Sequence, residues 1–336
     1  MEIQTVSVLI QTLCVPCGCR CRYCLLSWDG RPVGTDWERA LRFARRFREG
    51  LRSERPELRV RFALGYAMEP PDVPAALAVL RELDSPQAAF WQCDGMRLRG
   101  AAEWRELTAL LAREGVMALN FTLYGLRDYH DRFAARTGDF DNVLRMMEAA
   151  GEAGLARSCG IPLTLESIPQ TEALVTMLRS RDLCEKIFLF VPHEEGRGRA
   201  LSPIRATASA VEALPEELRG LLNRSLYRTE GEWVRSRELS PETKRSLLLS
   251  LRNDNIERYE RMESSGLVRE LEGLDDAYYG AFPAPEELAA RFGDPDGDRL
   301  YRRQDLLLRW RRRFSAETGI SPYDVTDERQ SGSRRF

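Results

Sequence analysis

Six short apolar or β-branched runs, each followed by a loop and most by a stretch of helical spacing, dominate the first 200 residues and restrict the possible folds more than any other feature. The runs are Ile3–Gln11, Leu58–Leu64, Ala88–Trp91, Val116–Leu123, a segment within Ala156–Leu165, and Lys186–Val191. Between them, residues 36–47, 75–83, 103–114, 140–153 and 170–180 repeat apolar side chains with a helical period, and Thr35 or Asp36 stands where the first helix needs an N-cap. Strands separated by helices pair in parallel through right-handed crossovers, so the alternation predicts an α/β fold, either a barrel or an open doubly wound sheet. No glycine-rich phosphate fingerprint follows the first run, which counts against a dinucleotide-binding sheet.

After Arg199 the pattern changes. Residues 201–222, 241–263, 285–292 and 299–317 read as helices separated by breaks such as Gly293-Asp294-Pro295-Asp296-Gly297-Asp298. This predicts a barrel unit over 1–200, a helical C-terminal region over 201–325 that covers the barrel mouth, and a polar, frayed tail over 326–336. No apolar run approaches the length that crosses a bilayer, and Met1-Glu2-Ile3-Gln4-Thr5 lacks a basic stretch followed by an apolar one, so a cytoplasmic protein is expected. The net charge of -2 argues against a general nucleic-acid binder, although the cations are arginine apart from Lys186 and Lys244.

Five of the eight cysteines fall in Cys14-Val15-Pro16-Cys17-Gly18-Cys19-Arg20-Cys21-Arg22-Tyr23-Cys24. Cys17, Cys21 and Cys24 form a three-thiolate set with gaps of three and two residues. Thiolates are soft donors that suit iron–sulfur clusters, and a [4Fe–4S] cube on three cysteines leaves one iron open to another ligand. The competing reading pairs Cys14 with Cys17 and Cys21 with Cys24 as zinc knuckles in a non-catalytic interaction protein. Structural zinc pairs usually lie a dozen or more residues apart, whereas these are separated by three. The remaining cysteines are scattered, and there is no secretory signal to favour a disulfide framework.

The CxxxCxxC spacing, with Tyr23 just before the last cysteine, resembles the signature of the radical S-adenosylmethionine (radical SAM) superfamily. That resemblance implies a partial (β/α)6 TIM-like barrel with a helical C-terminal extension, a [4Fe–4S] cluster on Cys17, Cys21 and Cys24, and S-adenosylmethionine on the fourth iron. In the family, one electron from the cluster cleaves the sulfonium, and the adenosyl radical takes a hydrogen atom from substrate. A low-potential flavodoxin or ferredoxin would be the electron donor. Tyr23 would flank the adenine. Glu69, in Gly65-Tyr66-Ala67-Met68-Glu69-Pro70, stands where the family places the acceptor for the methionine amino group, with altered spacing. Gln92-Cys93-Asp94-Gly95 resembles the family's Thr-Asn-Gly turn. Thr122-Leu123-Tyr124-Gly125, Tyr129-His130-Asp131 and Thr137-Gly138-Asp139-Phe140-Asp141 resemble a run found in peptide- and cofactor-modifying members.

Asn120 or Thr122 would contact the ribose, and Ile161 would pack on adenine unless it is simply core. Pro192 to Ala200 resembles the family's glycine–arginine turn. Cys93 is either a buried inert thiol or a hydrogen donor at the mouth. No cysteine follows Cys184, so one cluster is expected. The substrate implied is a peptide or small natural product, with a sugar or aminoglycoside (epimerase or dehydrogenase chemistry) as the alternative.

Overall fold

Capping and strand alternation define the elements from their first residues. In this computed structural model, residues 3–13, 17–24, 36–65, 67–236, 238–239, 243–320 and 332–335 are described. The six expected strands form as β1 Gln4–Leu13, β2 Arg59–Gly65, β3 Phe90–Gln92, β4 Ala118–Thr122, β5 Ala156–Pro162 and β6 Lys186–Phe190. Between them run α1 Trp37–Glu54, α2 Val73–Glu82, α3 Ala101–Arg113, α4 Arg127–Ala134, α5 Asp139–Glu152 and α6 Ile168–Ser180. The Asp36 carboxylate accepts from Arg39 N at 2.6 Å and opens α1; Asp72 does the same for α2 through Ala75 N at 2.9 Å.

Strands β1 and β2 pair in parallel, as do β3 to β6 in order, so within each sheet their C-terminal ends share one side. Val60, Phe62 and Leu64 of β2, and Leu119 and Phe121 of β4, enter the main core with the helices. Their alternate neighbours line the interior of the partial barrel. Strands β2 and β3 belong to separate sheets, and a side chain spans that seam. The Gln87 amide imitates a strand: its oxygen accepts from Leu64 N at 2.7 Å and its nitrogen donates to Leu64 O at 3.1 Å. Trp91 Nε1 donates across the same gap to Met68 O at 3.1 Å.

The chain beyond residue 200 departs from expectation. Residues 241–263 are not one helix. They supply β7, Lys244–Leu251, which pairs in parallel with the free side of β1, followed by α10, Ile256–Glu260. A continuous apolar run such as Leu247-Leu248-Leu249 has no periodicity that separates strand from helix; burial on both faces settles it as strand. The expected boundary near residue 200 is therefore crossed by the sheet. Residues 201–222 likewise break into a 3-10 turn, Gly196–Ile204, and two short helices, α7 Ala208–Glu212 and α8 Glu216–Arg219, with Pro203 inside the 3-10 turn and Pro215 at the break between α7 and α8.

The remaining helices are α9 Glu230–Ser236, α11 Ser264–Gly280, α12 Pro285–Phe292 and α13 Arg303–Thr318. Trp233, Leu288, Leu306, Trp310 and Phe314 join α9, α12 and α13 in a second core. Within the tail expected to fray, Gly332–Arg335 form β8, antiparallel to β7.

Candidate active site at the mouth of the partial barrel

The cysteine loop is held by its own backbone against the ends of the strands. Alternate amides are used: Gly18 N–H donates to Gly95 O at 2.7 Å, Arg20 N–H to Ala134 O at 2.7 Å, and Arg22 N–H to Phe133 O at 3.0 Å. Cys24 O accepts from Arg197 N at 2.8 Å, which brings the loop to the glycine–arginine turn after β6. Close approach requires glycine at two places. Gly95 has φ +71°, and a Cβ there would overlap Cys17 Sγ; a Cβ on Gly18 would overlap the Arg136 guanidinium.

The stretch after β4, expected as a loop, contains α4 and is the platform for the cysteines. Tyr124, Tyr129 and Phe133 pack with Cys19, and Cys17, Cys21 and Tyr23 lie against them. Helix α4 ends with Ala135 in the left-handed region at φ 51°, which frees Phe133 O and Ala134 O to receive the loop amides. A polar chain runs beneath. Tyr124 N–H donates to His130 Nδ1 at 3.1 Å, so the ring proton sits on Nε2 and is donated to Asp139 Oδ2 at 3.1 Å. The Arg136 Nε donates to Asp139 Oδ1 at 3.0 Å. Burial alone would raise the Asp139 carboxyl, but its bonds with His130 and Arg136 outweigh this and hold it below the usual carboxylate range.

Asp139 also accepts from the Cys19 thiol at 3.4 Å. Hydrogen bonding to Cys17 and Cys21, then burial, push the Cys19 thiol upward, while the bond from Cys19 lowers Cys17 against the effect of burial. Cys19 is thus a buried protonated thiol supporting its neighbours. The Tyr124 hydroxyl lies 3.0 Å from Cys21 Sγ.

Inside the barrel a ladder of polar side chains crosses β3, β4 and β5 at one register level, where Gln92 faces Asn120 and Asn120 faces Ser158. Asn120 Nδ2 donates to Gln92 Oε1 at 2.6 Å, and Ser158 Oγ donates to Asn120 Oδ1 at 2.8 Å. Above it sits Asp94. Its carboxylate accepts from Thr122 N at 2.9 Å, from Thr122 Oγ1 at 2.8 Å, and from the Gln92 amide. Burial pushes the Asp94 carboxyl up to about 6, although the bonds from Thr122 and Gln92 oppose the rise. Sequence reasoning quoted this turn without singling out Asp94. The available signal was polar residues at matching positions of otherwise apolar strands.

The expected site residues divide sharply. Tyr23 stands inside the mouth, with ring centroids 5.5 Å from Tyr124, 5.8 Å from Phe133 and 6.2 Å from Phe190. Asn120 and Thr122 line the interior beside it. Ile161 does not: it is on the opposite face of β5 from Ser158 and Gly160, 0% exposed in the main core, where no ligand in the barrel reaches it. Cys93 is also in that core, its thiol directed to Trp91 O and raised by burial, which corrects its placement as a donor at the mouth. Glu69 is at the mouth but bound to Arg99 and to Arg97 N at 2.8 Å. Cys14 lies outside the described residues.

A tetrahedral zinc site brings sulfurs to roughly 3.8 Å of one another at zinc–sulfur distances of about 2.3 Å. Among the described residues no three thiols lie within 4.8 Å of each other. The triple that does, His193, Glu195 and Asp305, stands beside the Arg205 and Arg302 guanidinium groups, which repel a cation. Three soft donors on one loop, with a glycine cradle behind the first, fit an iron–sulfur cluster better than a single ion.

Residues 15–175 match the Radical SAM superfamily. No curated protein sequence matches the chain. Among solved structures, the chain is similar to Streptococcus suis SuiB bound to S-adenosylmethionine, at 14% identity and a TM-score of 0.44 over 74% of this chain and 50% of that one. It is also similar to the Escherichia coli coproporphyrinogen III oxidase HemN, a radical SAM enzyme, at 14% identity and TM-score 0.42 over 75% and 64%. A third is anSMEcpe with bound AdoMet, at 15% identity and TM-score 0.39 over 56% and 51%. The chain spans less than two thirds of each of these proteins, and likenesses this remote carry nothing about substrate. Residues 15–175, which contain the thiol loop, form a radical SAM domain, and that superfamily uses a [4Fe–4S] cluster and S-adenosylmethionine.

Proposed function

We propose that this enzyme reductively cleaves S-adenosylmethionine at one [4Fe–4S] cluster held by Cys17, Cys21 and Cys24 and abstracts a hydrogen atom from a peptide or small natural product. The observation that carries the reading is the pinned cysteine loop, whose amides are bound to the β3 turn and the end of α4 while Cys17 and Cys21 pack against the cluster of Tyr124, Tyr129 and Phe133. When bound, the cluster and S-adenosylmethionine supply one-electron cleavage and hydrogen-atom abstraction. The chain's part is to bind, orient and exclude water. The Gly95 and Gly18 cradle fixes Cys17, the Tyr124 hydroxyl donates toward Cys21, and Tyr23 with Phe190 gives an aromatic wall. Asn120 and Thr122 offer hydrogen bonds to a ribose.

The run from Tyr124 to Asp141 is accounted for by its support of the cysteine loop, so it favours no substrate class. Selection would fall to the helices anchored on the β6 turn. A flavodoxin or ferredoxin would deliver the electron. Anaerobic reconstitution tests the reading: about four iron and four sulfide per chain are expected, with loss in each of Cys17→Ala, Cys21→Ala and Cys24→Ala. Cys19→Ala should retain the cluster. Dithionite with S-adenosylmethionine should then release 5′-deoxyadenosine. Full cluster in Cys21→Ala, or colourless protein holding zinc, contradicts the assignment.

A further inference from the structure

We propose that Asp94, rather than Glu69, is the carboxylate that receives the cationic methionyl end of S-adenosylmethionine; the inference rests on the radical SAM reading of the site. Both acids follow neighbouring strands, yet their surroundings differ. Glu69 is already neutralised. Its Oε2 accepts from Arg97 N at 2.8 Å, and its Oε1 is ion-paired with Arg99 and lies 3.8 Å from Arg97 Nε. Arg99 is fixed in turn, with its guanidinium 4.6 Å from the Trp104 ring and its N–H on Asn142 Oδ1 at 3.0 Å, the same oxygen that takes Trp104 Nε1. Glu69 therefore braces the end of β2 against α3. A second cation brought there would meet Arg99.

Among the described residues Asp94 has no cationic partner. All its partners are neutral, namely the Thr122 amide, the Thr122 hydroxyl and the Gln92 amide, and among the described residues no arginine, lysine or histidine forms an ion pair with it. It stands over the interior ladder, and the next residue, Gly95, is the one packed on Cys17 Sγ and bonded to Gly18 N. A charged carboxylate in a sheltered site without a counter-ion is costly, and a ligand cation removes that cost. Its position one residue from the thiol cradle makes the cofactor, rather than a substrate beyond it, the ligand within reach.

Cluster-reconstituted wild type, Asp94→Asn and Glu69→Gln are compared by equilibrium dialysis with labelled S-adenosylmethionine and with 5′-methylthioadenosine, which lacks the methionyl end. Iron and sulfide content is measured on each sample. Asp94→Asn should weaken S-adenosylmethionine binding at least about thirtyfold and change methylthioadenosine binding by less than about threefold. Glu69→Gln should keep S-adenosylmethionine affinity within about threefold and lower thermal stability instead. A large loss in Glu69→Gln, or wild-type affinity in Asp94→Asn, overturns the assignment. Should Asp94→Asn fail to load its cluster, the Glu69→Gln arm decides alone. Wild-type protein that takes up a cluster but no S-adenosylmethionine would overturn the superfamily reading as well, a pattern distinct from selective failure of one variant.

Discussion

Two single residues at the mouth carry measurable consequences. Gly95 combines a left-handed φ of +71° with contact against Cys17 Sγ, so Gly95→Ala adds backbone strain and displaces the thiol. It should cost about 1–3 kcal/mol and reduce iron uptake on reconstitution, read by chemical denaturation and iron analysis; unchanged iron content would mean that the cradle does not position Cys17. Asp94 contributes to the pH dependence of stability in the cluster-free protein. Burial raises its folded value to about 6 from an ordinary 3.8, so the folded state holds the proton more tightly than the unfolded chain. That stabilisation is complete below the unfolded value and is lost as pH rises through the folded value. At pH 7.5 the charged form then costs at most about 3 kcal/mol, so Asp94→Asn should raise the melting temperature there and leave it unchanged near pH 3.5. A stabilisation of equal size at both pH values would show that it does not come from ionisation.

Among the elements, the seam between β2 and β3 is held by the Gln87 amide, which replaces two ladder bonds with Leu64. Gln87→Leu leaves Leu64 N and O without those partners and should destabilise by about 2–4 kcal/mol, with faster amide exchange at the end of β2; exchange unchanged at Leu64 would deny the stitch. Gln87 was invisible in the sequence because a glutamine between Pro86 and Ala88 reads as an ordinary turn. The six strands and their helices were legible, since period-2 and period-3.6 patterns survive whatever the tertiary context. The strand β7 was not, because Leu247 to Leu251 are buried on both faces and show neither period. Helix α4 was missed for another reason: its residues Asp128, Tyr129, His130 and Asp131 looked like site chemistry, and its short length hid the amphipathic face. At the site, cysteine spacing identified Cys17, Cys21 and Cys24 as candidates. Ile161 was misplaced because strand parity depends on register, which spacing along one segment does not fix.

At the scale of the whole molecule, the C-terminal helices are joined to the mouth by a buried ionic network. Glu194, 3% exposed in the turn after β6, contacts Arg205 at 3.2 Å and Arg312 at 3.1 Å, and its carbonyl accepts from Arg312 Nη1 at 2.7 Å. Asp305 at the start of α13 accepts from Glu194 N at 3.0 Å and from His193 Nδ1 at 3.2 Å. Burial, with Arg199 and Arg309 nearby, lowers Arg312 despite Glu194, so the carboxylate balances a crowd of guanidinium groups. Glu194→Ala leaves the buried Arg205 and the half-buried Arg312 without it and should cost about 3–5 kcal/mol. The loss should be local. Helix α13 and residues 192–205 should lose hydrogen-exchange protection while β1, β2 and β4 keep theirs, because those strands have a separate apolar core. A double variant with Arg312→Ala should destabilise by less than the sum of the two single changes, by about 0.5–3 kcal/mol. Uniform loss of protection across both cores would instead mean that the network stabilises the fold as one unit and that the α13 region cannot open independently over the mouth.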